Sequence, residues 1–134
     1  MQRIYVLTVV TLALAAGVVL AQSETDYQSW MKTIGATNAS LQKNLAAKDS
    51  AAVAADAKKL EDTFKMVEDF WEKRHTADAQ KFAEQAEKGA AAVAKSAMAG
   101  NLDQASADAK AMGANCAGCH MAHREKTDTG FKIK

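Results

Sequence analysis

Cys116, Cys119 and His120 stand in the order Cys-x-x-Cys-His near the C-terminal end of the chain. At this spacing two thiols attach a haem and the following histidine binds its iron. The sulfurs add to the vinyl groups as thioethers, His120 supplies the proximal imidazole nitrogen, and the redox chemistry is the cofactor's. Three blander arrangements use the same residues. A redox dithiol belongs in a strand–helix–strand setting, and no strand-period segment is evident in the chain. Structural zinc takes four ligands, and beyond the motif the only imidazoles are His75 and His123. A plain disulfide leaves the adjacent histidine without a part. One covalent haem c, held through Cys116 and Cys119 with His120 on the iron, uses all three residues.

The N-terminal segment agrees with that chemistry. Arg3 carries a positive charge, an apolar run follows from Ile4 to Leu20, and Val19-Leu20-Ala21 has small residues suited to signal peptidase. Cleavage is expected after Ala21, giving a signal peptide over 1–21 and one domain over 22–134. The competing reading, a retained membrane anchor, sits at the lower edge of the roughly 20 residues that span a bilayer. Export suits c-type haem, which is attached on the far side of the bacterial inner membrane, so the expected location is the periplasm. The chain has only 2 cysteines, which rules out a larger disulfide framework. Losing Arg3 from the 17 basic residues leaves them balanced against the 16 acidic ones. A net charge near zero argues against nucleic acid as a partner, and alternating charges such as Lys58, Lys59, Glu61, Asp62, Lys65 and Glu68 describe a solvated helix face.

These residues need elements to position them, and the chain offers helices. Proline is absent, alanine is abundant, and apolar residues recur at spacings of three and four. A first helix is expected from Ser23, as N-cap, to about Ala47, burying Tyr27, Trp30, Met31, Ile34, Leu41 and Leu45. The second begins after Asp49 or Ser50 and presents Val53, Ala57, Leu60, Phe64, Val67, Trp71 and Arg74. His75-Thr76 forms the next corner, with Thr76 capping the third helix, whose stripe is Ala79, Phe82, Ala86, Ala90, Val93 and Ala97. Gly100 suits the position just past that helix, and Asn101 with Gln104 reads as a capping box for the fourth. Its stripe is Leu102, Ala105, Ala109, Met112 and Cys116. Four amphipathic helices with short joints predict an all-α, antiparallel up-down-up-down bundle whose cofactor lies between facing helices. Alanine-rich stripes make a thin core, so a flat apolar haem is expected to supply much of the rest. On a continuous last helix Cys116, His120 and Arg124 share one face at i+4 steps, with Arg124 placed for the ring edge or a propionate. The short charged tail from Lys126 is expected to fray unless Phe131 docks.

A helical, exported chain ending Cys-x-x-Cys-His-x-x-x-Arg resembles the cytochrome c′ family of four-helix-bundle cytochromes. The likeness covers the mature chain. Ala99-Gly100-Asn101-Leu102-Asp103 is similar to that family's Gly-Asp-Leu opening of the last helix, and Phe70-Trp71 falls where members carry aromatic residues. Two features depart from the pattern: His123 stands where an aromatic residue precedes the arginine, and the second corner is short. The resemblance implies one of two functions. In one branch the iron is five-coordinate and binds nitric oxide or carbon monoxide at an open site. In the other a methionine of the first helix completes the coordination and the protein carries electrons. Trp30-Met31-Lys32-Thr33-Ile34-Gly35 resembles the Met-Lys-x-x-Gly segment of the second branch, which implies Met31 as distal ligand opposite His120.

The expected function is therefore a periplasmic monohaem electron carrier working with redox partner proteins. The alternative is a five-coordinate gas binder. Of the other methionines, Met66 and Met98 fall beside their helices' stripes, Met112 lies one turn before the cysteines, and Met121 points away from His120. His75 and His123 read as surface histidines. An enzyme such as a peroxidase needs an acid–base group on the distal side, and the distal stripe offers none; Thr37 and Asn38 are placed for the haem edge. Tyr27 and Trp30 read first as core aromatics. No membrane insertion is expected after cleavage, and a homodimer through the first two helices is the family's habit.

Overall fold

The computed structural model describes residues 24–134. It contains α1 (Gln2–Ala46, described from Glu24), α2 (Ser50–Lys73), α3 (Ala77–Met98), α4 (Leu102–His123), β1 (Arg124–Thr127) and β2 (Gly130–Ile133). The expected signal peptide, 1–21, and the expected N-cap at Ser23 lie outside the described residues. Among the described residues no helix is long and apolar enough to cross a membrane.

Each interhelical joint turns on a single residue with left-handed backbone: Lys48 (φ 57°), His75 (φ 55°) and Gly100 (φ 73°). At each one the following residue donates its N–H to the carbonyl five residues back, Asp49 to Asn44, Thr76 to Trp71 and Asn101 to Ser96, which satisfies an orphaned carbonyl at the helix end. The donating residue then opens the next helix. Such tight joints fold each helix back along its predecessor. Asp49 Oδ1 accepts from the Ala52 N–H at 3.0 Å and Asn101 Oδ1 from the Gln104 N–H at 3.1 Å. Two capping expectations need correction. Thr76 makes no side-chain cap; its hydroxyl donates to the Arg74 carbonyl at 3.4 Å. Gln104 does not complete a capping box, because its side chain donates to Asp108 at 2.8 Å instead.

The four helices pack as a four-helix bundle around the predicted stripes. Val53, Ala57, Leu60, Phe64, Val67 and Trp71 of α2 are all buried, as are Ala79, Ala86, Ala90, Val93 and Ala97 of the expected α3 stripe, joined by Ala83 and Ala94, whereas Phe82 is only half-buried. Arg74 is the exception on the α2 stripe: it caps the helix, lies over the Phe70 ring at 4.4 Å and pairs with Glu24 at 3.0 Å. The small side chains of α3 bring its neighbours close. A Cβ added at Gly89 would stand 2.9 Å from Met112 Cβ and 3.2 Å from its Cα, so glycine is needed where α3 meets α4. α2, α3 and α4 pack side by side, whereas α1 leans on α2 and meets α4 only sparsely.

The chain is not wholly helical. β1 and β2 form an antiparallel hairpin in which Arg124 faces Ile133 and Thr127 faces Gly130. The tail expected to fray is thus ordered, and Ile133, rather than Phe131, packs against the core. The Lys134 N–H donates to the His123 carbonyl at 3.1 Å, fastening the hairpin to the end of α4.

Gly89→Ala is expected to lower the unfolding free energy by about 1–3 kcal/mol, although alanine is the better helix former. The methyl meets atoms next to the α4 backbone, which cannot swing aside. Urea denaturation measures the change, and an unaltered or higher midpoint would show that α3 and α4 separate freely.

Candidate functional site

The stripe of α4 changes character along its length. Ala105, Ala109 and Met112 are buried against the other helices, but Cys116, Cys119 and His120, which continue the stripe, are only half-buried. Beyond Met112 the helix faces a cavity of about 710 Å³ instead of protein. That volume is in the range of sites for cofactors and drug-sized ligands.

α4 contributes Cys116, Cys119 and His120 to the wall, and α1 contributes Tyr27, Met31, Ile34, Gly35 and Asn38 from the other side of the open seam. Phe64 and Val67 of α2 and Phe82, Ala83 and Ala86 of α3 add apolar surface. The sequence-predicted residues Cys116, Cys119, His120, Met31 and Arg124 therefore line one cavity. Thr37 does not join them, being buried outside the lining, while Asn38 does. Gly118, inside the cysteine motif, packs so closely that a Cβ there would lie 2.6 Å from Phe82 Cε1. Gly35 and Gly113 show the opposite: both line the cavity, and an added Cβ meets nothing within 4 Å. Glycine inside a helix costs about 1 kcal/mol relative to alanine, and no protein neighbour accounts for either one.

Burial sets the protonation of the donors. It pushes the Cys116 thiol up, and pushes Cys119 up to about 11, with the neighbouring Cys116 adding to the effect. Burial also lowers His120, assisted by the positive charge of Arg124. At neutral pH the site presents two thiols and a neutral imidazole, the form of histidine that binds metals. A dithiol oxidoreductase needs the reverse, a thiol lowered toward thiolate. Among the described residues no three His, Cys, Asp or Glu side chains converge as a metal-binding group, which also sets the site apart from structural zinc.

Two residues near the motif differ from expectation. His123 is not a surface histidine: its Nε2 lies 2.8 Å from Asp78 Oδ2 and its ring stands 5.2 Å from Trp71. That hydrogen bond holds the Asp78 carboxyl below its usual range. Arg124 does not extend α4. Its backbone is already extended (φ −117°, ψ 130°), and its guanidinium lies 4.1 Å over the Phe131 ring. Helical spacing consequently fails at Arg124, yet the residue reaches the cavity wall from the hairpin. His75, at its left-handed joint, is exposed as expected.

Behind the α1 wall lies an aromatic cluster. Tyr27 stacks on Phe70 at 4.6 Å and meets Trp71 edge-on at 5.6 Å, and Trp30 meets Phe70 edge-on at 6.4 Å. Tyr27 and Phe70 are core residues, whereas Trp30 is half-buried beside them. Searches against models of known protein families and against curated proteins return no match to the chain.

Burial raises Tyr27 to about 12 from its ordinary 10.0. Its neutral form is the one the fold favours, so this stability is complete below pH 10 and disappears as pH rises through 12. The loss amounts to about 2–3 kcal/mol. Comparing the parent with Tyr27→Phe in alkaline unfolding titrations should show a steeper decline in the parent over that window; parallel curves would mean that Tyr27 ionises without resistance from the fold.

Proposed function

We propose that the chain is an exported monohaem c-type cytochrome that carries electrons, with one haem bound through Cys116 and Cys119, His120 as proximal ligand and Met31 as distal ligand. The observation that carries this reading is the cavity of about 710 Å³ that gathers these four residues from two helices that scarcely touch. The donor set fits the group. Thiols kept protonated are the reactants for addition to vinyl groups, a neutral imidazole binds iron, and methionine supplies a soft thioether. The apolar wall and the open room at Gly35 and Gly113 suit a broad flat ring.

When bound, the haem would supply a one-electron couple, and a Met–His ligand pair raises its potential. The chain's own residues do the rest. Joining both thiols to the group through α4 would make that helix its permanent support, and Phe82 packs against Gly118 in the helical turn between the two cysteines. Ile34, Phe64 and Val67 exclude water from the walls they form, which favours a small structural change between redox states. A periplasmic site of action and redox partner proteins follow from the apolar run at Ile4–Leu20 and from the chemistry of haem attachment.

Optical spectra of the purified haem protein in both oxidation states, with and without carbon monoxide, test the ligand assignment. The parent is expected to be low-spin and slow to bind carbon monoxide, and Met31→Ala to be high-spin and reactive. A parent that is already high-spin and reactive would overturn electron transfer in favour of gas binding at an open iron.

A further inference from the structure

The charged residues on the cavity wall are all of one sign. Lys32 on α1, Arg124 at the start of β1 and Lys132 on β2 line it, and among the described residues that do so there is no Asp or Glu. Along α2 and α3 several lysines are paired on their own helix, Lys58 with Glu61 and Asp62, Lys65 with Glu68 and Asp69, Lys88 with Glu84. Among the described residues neither Lys32 nor Arg124 has a carboxylate partner, and Lys132 bridges only to Glu125, opposite it in the hairpin, at 3.3 Å. All three cations are exposed at the rim of an otherwise apolar cavity, so the wall offers positive charge, and no negative charge among the described residues, to a group seated there.

The hairpin holds these cations in place. Ile133 is packed on the core, the Lys134 N–H is tied to the His123 carbonyl at 3.1 Å, and Phe131 lies flat beneath the Arg124 guanidinium at 4.1 Å. A guanidinium stacked by its face keeps the N–H donors at its edge free for a bidentate contact with a carboxylate.

We propose that the C-terminal hairpin is a carboxylate-binding clasp: Arg124 and Lys132, with Lys32 facing them from α1, receive the propionates of the haem and thereby select a dicarboxylate porphyrin over a neutral one. This inference rests on the haem reading above. It gives the hairpin, which the bundle itself does not require, a part in loading the site before the thiols react.

The test uses the full chain with its cysteines reduced and two probes, ferric protoporphyrin IX and its dimethyl ester, followed by absorbance and by quenching of tryptophan fluorescence. At low salt the free dicarboxylate is expected to bind at least about tenfold more tightly than the ester, a difference that Lys32→Gln with Arg124→Gln reduces to about twofold and Lys132→Gln reduces in part. Far-ultraviolet circular dichroism of each variant establishes that the bundle is intact. Equal affinity for both probes in the parent, or a preference that survives the substitutions, would overturn the clasp while leaving haem binding standing. Binding of neither probe would remove the haem reading and the clasp with it.

Discussion

The close approach of α3 to its neighbours governs the rest of the molecule. Alanine after alanine on its buried face, and Gly89 against the α4 backbone at Met112, draw α2, α3 and α4 into near contact. Side chains that small leave little volume with which to bridge the remaining seam. α1 is held by the aromatic cluster of Tyr27, Phe70 and Trp71 on α2 and does not close onto α4. The seam therefore opens exactly where α4 carries Cys116, Cys119 and His120. A bundle built with leucine in place of these alanines would fill its own interior and have no such cavity. The thin core and the candidate site are two results of one choice of residues.

The cavity is strongly polarised. Most of its wall is hydrocarbon, and its thiols and imidazole are held in neutral forms by burial. Its charge is all positive and is concentrated on Lys32, Arg124 and Lys132. A flat apolar ring with acidic substituents matches both properties, so the proposed covalent attachment, iron ligation and carboxylate recognition are mutually consistent uses of the same space.

Much of this was legible in the sequence because it follows local rules. The α2 stripe from Val53 to Trp71 kept its helical spacing and is buried throughout, and Gly100 stands at the left-handed joint where glycine is the usual choice. The other two joints could not be read that way, since Lys48 and His75 adopt the same backbone without being glycine. The hairpin escapes helical periodicity, which continues formally through Arg124 although the backbone there is already extended. The available signal was the alternation of Phe131 and Ile133 with Lys132 and Lys134 after Thr127-Asp128-Thr129-Gly130, a two-residue period following turn-forming residues. His123 illustrates a different limit. Its bond to Asp78 joins the end of α4 to the start of α3, and no local pattern announces a contact between residues so distant in the chain.

Covalent attachment is the central claim, and the intact mass of the exported protein tests it most directly. The account predicts a chain beginning at Gln22 whose mass exceeds that of the polypeptide by one haem, with the excess retained under denaturing acid and lost when Cys116 and Cys119 are both replaced by alanine. A mature chain with the mass of the polypeptide alone, obtained from cells able to assemble c-type cytochromes, would contradict it.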